Sequence, residues 1–108
     1  MQIFDDLVHS YVATDLAPAV VEAWYRDHAP PAETLSALAE RIGTLFLAGQ
    51  IDFAAANGLL NQLMPLAGFE TAPKRFWQYY VAFEDSETSN NPDQDARSAV
   101  SALARDAA

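Results

Sequence analysis

The chain has 108 residues, 51% of them hydrophobic, with fifteen acidic residues against six basic ones and a formal charge of −9. That length and apolar content fit one small domain around a single core and exclude general disorder. An acidic field of this size repels nucleic-acid phosphate and anionic lipid, and the absence of cysteine removes any disulfide framework, thiolate nucleophile or cysteine-based zinc site.

Phe4, Leu7, Val8, Tyr11 and Val12 stand at i, i+3, i+4, i+7 and i+8, the apolar stripe of a first helix. Asp5 and Asp6 stand where a signal peptide needs positive charge. A second helix begins near Pro18, because proline suits a first helical position, and it turns Leu16, Val20, Val21 and Trp24 inward. Ala29-Pro30-Pro31 ends it. The third helix carries Leu35, Leu38, Ile42, Leu45 and Phe46 on one stripe and stops at Gly49.

Asp52 is placed to cap a fourth helix by accepting the free N–H groups of its first turn. Phe53, Ala56, Leu60, Leu63 and Met64 form the inner face, which Pro65 and Gly68 are expected to close. Gly58, inside this helix, costs about 1 kcal/mol relative to alanine and suits the close approach of another element. Charge-free residues run from 53 to 69, but polar residues and Pro65 interrupt them, so the segment reads as core and not as a membrane span. Cytoplasmic location is the expectation.

A fifth helix follows Pro73, and a polar loop, residues 87–91, follows that. Asn91-Pro92-Asp93-Gln94 is then a helix start, with Asn91 as cap, Pro92 at the first helical position and Gln94 three residues after the cap. The last helix, about residues 92–106, is alanine-rich. Val100 and Leu103 are its large apolar residues, so loose packing is expected. No segment alternates with period 2. The fold class is all-α: a compact bundle of five to six short helices without a sheet, one domain over residues 1–108.

The chemical inventory is sparse. Asp5 and His9 share a helix face, which gives two metal ligands and no site. His28 stands where a cation favours a helix C-terminus. The four glycines are isolated, and no phosphate loop, serine elbow or His-Glu-x-x-His occurs. Neither catalytic residues nor a bound cofactor or metal is expected. Asn57 and Asn61, one turn apart on the fourth helix, need partners if buried, and with Tyr80 they mark a candidate pocket between the fourth and fifth helices.

The run Phe76-Trp77-Gln78-Tyr79-Tyr80-Val81-Ala82-Phe83 is the densest signal, holding five of the chain's aromatic residues. At about 100° per residue its apolar arc spans roughly 200°, wider than the stripe of a one-sided helix. Either this helix is central and packed on two sides, or one flank faces a partner. Phe76, Tyr80 and Phe83 are assigned to the core, leaving Trp77 with Val81, or Tyr79, as the exposed flank. Tryptophan and tyrosine suit such a role because they join large apolar area to a polar atom. Glu84, Asp85 and Glu87 follow as an acidic rim.

The expected function is therefore a small acidic protein-binding module without catalytic activity, acting by stoichiometric association as an inhibitor or immunity protein does. A homodimer and a small-ligand or enzymatic helical domain are the alternatives. The partner is a protein of basic character or a second copy, with no nucleic acid and no membrane.

Overall fold

Among residues 2–107, which the computed structural model describes, six helices succeed one another without a strand: α1 Gln2–Ala13, α2 Pro18–His28, α3 Ala32–Leu47, α4 Phe53–Ala67, α5 Lys74–Ser86 and α6 Pro92–Ala107. The all-α bundle expected from the periodicity is the fold observed. Its Cα radius of gyration is 12.7 Å.

The helix ends follow from their residues. The Asp52 carboxylate accepts the Ala55 N–H at 2.9 Å, which caps α4 as expected. At the end of α3, Gly49 takes a positive φ of 75° and the Gln50 N–H reaches back to the Leu45 carbonyl at 2.9 Å. That left-handed turn is the usual use of glycine just past a helix. Before α6, Asn91 Nδ2 donates to Gln94 Oε1 at 2.9 Å, while the Asn91 N–H goes to Ser89 Oγ at 3.0 Å. The capping residues are those expected, but Ser89 takes the backbone donor that a capping box gives to its third residue.

Pro65 does not end α4. The helix runs through it to Ala67 and stops at Gly68, which has φ 88°. Proline removes one N–H from the ladder, and α4 tolerates that loss in its last turn. Val12, assigned to the α1 stripe, is 48% exposed, because it stands at the edge of the arc that Phe4, Leu7, Val8 and Tyr11 bury.

One core joins all six helices, and each large side chain fully buried there contributes about 1.5–3 kcal/mol. Two glycines set how close the elements come. The Tyr11 hydroxyl of α1 occupies the space a Cβ at Gly58 would need, the close approach anticipated for that position. At Gly43 of α3 a Cβ would lie 2.5 Å from Tyr79 Cε1 and 3.1 Å from Val100 Cγ1, so α5 and α6 both press against α3 there.

Three arginines bind the helices across their polar edges. Arg41 of α3 grips Asp5 of α1 through two bonds of 2.8 and 2.9 Å, and these bonds hold the Asp5 carboxyl below its ordinary range. Asp5 is thus engaged by Arg41. Arg75 of α5 donates to Glu40 of α3 at 2.9 Å and to the Leu103 carbonyl of α6 at 2.8 Å. Arg97 of α6 lies over the Phe46 ring, 4.6 Å from its centroid. It also pairs with Asp93 at 2.7 Å. The last helix buries Ala96 and Val100, packs Ala99 and Leu103 against the core, and is also held by Arg75 and Arg97.

Candidate protein-binding face

α5 packs against α3, α4 and α6. Its buried residues are Phe76, Tyr79, Ala82, Phe83 and Ser86. On a helical wheel that arc centres near Tyr79, not between Phe76 and Tyr80, because the small residues Ala82 and Ser86 admit a neighbouring helix on their side. Two expectations change as a result. Tyr79 is buried, at 3% exposure, its ring against Gly43 and under the Arg75 guanidinium, 5.0 Å from the ring centroid. It leaves the set of exposed contact residues. Tyr80, assigned to the core, is only half-buried.

Trp77 is the exposed flank, at 41%, with Val81 one turn on and half-buried. The Trp77 ring lies 5.5 Å from that of Tyr80, tilted by 33°. Tyr80 in turn meets Phe69 edge-on, at 6.2 Å and 82°. Phe69, 55% exposed, belongs to the loop between α4 and α5, where Ala72 N–H bonds back to the Gly68 carbonyl at 2.8 Å. Phe69, Tyr80 and Trp77 thus form a continuous aromatic strip on the surface. Sequence reading missed Phe69. The Gly68 stop just before it was visible, but a loop aromatic has no period to place it.

Beside this strip a shallow groove of about 360 Å³ runs between α5 and α6, lined by Trp77, Val81, Ala82, Asp85, Ala99 and Leu103. Glu84, Asp85 and Glu87 are exposed at the C-terminal end of α5, and Lys74 is exposed at its N-terminal end. The Tyr80 phenol is pushed above its ordinary pKa, by burial first and then by the charges of Glu84 and Glu87. The acids therefore border the aromatic strip closely enough to act on it.

Asn57 is buried, at 9% exposure, and Asn61 is half-buried. Neither they nor Tyr80 line any of the four main surface grooves. Between α1 and α2 a groove of about 400 Å³ includes Asp6, Ser10, Trp24 and His28. There His28 stacks on Trp24, with centroids 4.7 Å apart, and its Nδ1 lies 2.8 Å from the Trp24 carbonyl, the helix-end contact expected of it. The Trp24 indole nitrogen is buried with no acceptor among the described residues. A third groove, of about 400 Å³, lies between α1 and the end of α3 and is lined by Asp5, His9, Val12 and Ile51. At the α1–α2 turn, Asp15 and Leu16 both take positive φ, 57° and 63°, beside a groove of about 580 Å³ that also includes Asp52, Asp93 and Arg97. Among the described residues no group of three or more acids and histidines is arranged to hold a metal ion. Comparisons with protein-family models, with curated proteins and with solved structures find no match.

Proposed function

We propose that this chain is a small acidic protein-binding module, without catalytic activity, that acts by stoichiometric association through the outer face of α5. The observation that carries the reading is the exposed strip Phe69–Tyr80–Trp77, continuous with Val81 and the α5/α6 groove. Large aromatic area left in water is costly for a monomer and typical of contact surfaces. Trp77 and Val81 supply apolar contact, and Glu84, Asp85 and Glu87 form a charged edge that orients the arriving surface.

The test is affinity capture from native lysate with three immobilised forms: the wild type, Trp77→Ala, and Ile3→Ala as an exposed apolar residue on α1, outside this face. A protein retained by the wild type and by Ile3→Ala, lost with Trp77→Ala while the circular dichroism is unchanged, is the expected outcome. A capture profile indifferent to Trp77→Ala, together with a wild type that stays monomeric at high concentration, overturns the reading.

A further inference from the structure

We infer that the occupant of the outer α5 face is a second copy of this chain, packed antiparallel about a two-fold axis. The inference rests on the reading that this face binds protein and adds what it binds. Lys74, Val81 and Asp85 project within about 40° of one another, and the eleven residue steps from Lys74 to Asp85 span about three turns, or ~16 Å. The face therefore carries a positive end, an apolar middle and a negative end.

An isologous interface sets a patch against its own reverse. An antiparallel crossing centred between Gln78 and Val81 places Lys74 opposite Asp85 of the second copy, and the symmetry makes that contact twice. The same two-fold keeps each flank of α5 on its own side of the crossing, so Trp77 of each copy lies beside Val81 of the other. Among the described residues neither Lys74 nor Asp85 has an intramolecular ion pair, so both are available. A uniformly basic partner would instead bring like charge onto Lys74. The formal charge of −9 opposes pairing of two copies. At physiological salt, however, exposed charges more than about 8 Å apart are largely screened, whereas the facing Lys74 and Asp85 are inside that distance. One face of a 13-residue helix is smaller than the ~800 Å² per partner of a standard interface, so a weak dimer is expected, with Kd on the order of tens of micromolar.

Sedimentation equilibrium of the full chain, from about 5 to 500 µM at about 0.15 M salt, tests this over a range that brackets such a Kd. Trp77→Ala is expected to weaken the dimer by about tenfold or more. Lys74→Glu and Asp85→Lys should each weaken it about fivefold, the second despite lowering the net charge. The double exchange K74E/D85K keeps the formal charge of −9 and re-forms the pair with its signs reversed. It should return Kd to within about threefold of the wild type. A wild type that stays monomeric throughout overturns the dimer and leaves the capture experiment to judge protein binding by itself. A double exchange no tighter than the single ones overturns the antiparallel register. A dimer indifferent to Trp77→Ala overturns the role given to this face altogether.

Discussion

Tyr79 and Trp77 stand two positions apart on α5, yet one is 3% and the other 41% exposed. The face centred on Tyr79 meets three other helices and has each of its polar atoms met. The Tyr79 hydroxyl is 3.4 Å from Arg75 Nη2, and Ser86 Oγ donates to the Ala82 carbonyl at 2.8 Å. The face centred on Trp77 and Val81 meets only a shallow groove and carries its charges at the two ends. The two faces differ in charge as well, since the inner one is uncharged and the outer one carries Lys74 and Asp85. Packing separates them further: Gly43, Ala82 and Ser86 let α3 and α6 come close on one side, while the other presents the larger side chains of Trp77, Gln78 and Val81.

The comparison breaks most forcefully on the inner side. Phe83 is fully buried, with its ring 5.0 Å from Phe46 and 5.9 Å from Phe53. Phe83→Ala should cost about 3–5 kcal/mol in chemical denaturation, since it loses both burial and packing. Gly43→Ala tests the close approach itself. The added methyl must displace Tyr79 and Val100, and a loss of about 1–3 kcal/mol is expected where alanine at an open helix position would gain up to about 1 kcal/mol. A gain of about 1 kcal/mol, as at an open helix position, would mean that α3 and α5 do not pack at that distance. Trp77→Ser should cost about 1–2 kcal/mol in the same measurement, less than Phe83→Ala, because 41% of the residue already faces water. A loss comparable to that of Phe83→Ala would move Trp77 into the core and with it remove the candidate face.

Much of the fold was legible because periodicity and end signals agreed. Leu38, Ile42 and Phe46 are the buried stripe of α3, and Asp52 and Gly49 act where their chemistry requires. The candidate face was legible only in part. Weighting the wheel by large side chains put Tyr80 inside and left Tyr79 as a candidate for exposure, because alanine and serine carry little weight in a hydrophobic count and yet decide where a helix can dock. Pro65 misled in the same way. Its local rule says stop, but the apolar face continues beneath it to Ala67 and the helix follows the packing. Phe69 could not be placed at all, since its position depends on a loop held by backbone bonds and on Tyr80, eleven residues away.

The finest difference between the two faces is electrostatic, and Tyr80 reports it. Its phenol is raised by burial and then by Glu84 and Glu87, whereas Tyr79, also raised first by burial, feels the opposing positive charge of Arg75. A phenol whose folded pKa exceeds its unfolded value of about 10 adds stability that is complete below that pH. The contribution disappears as pH rises through the folded value. Glu84→Gln removes one of the charges that disfavour the phenolate, so the Tyr80 pKa should fall, while burial and Glu87 keep it from returning fully to the ordinary value. Ultraviolet titration of Tyr80→Phe against the wild type isolates the residue, and repeating the pair in the Glu84→Gln background measures the shift. An unchanged Tyr80 pKa would mean that Glu84 points away from the aromatic strip, and the acidic edge assigned to the contact surface would then reduce to Asp85 and Glu87.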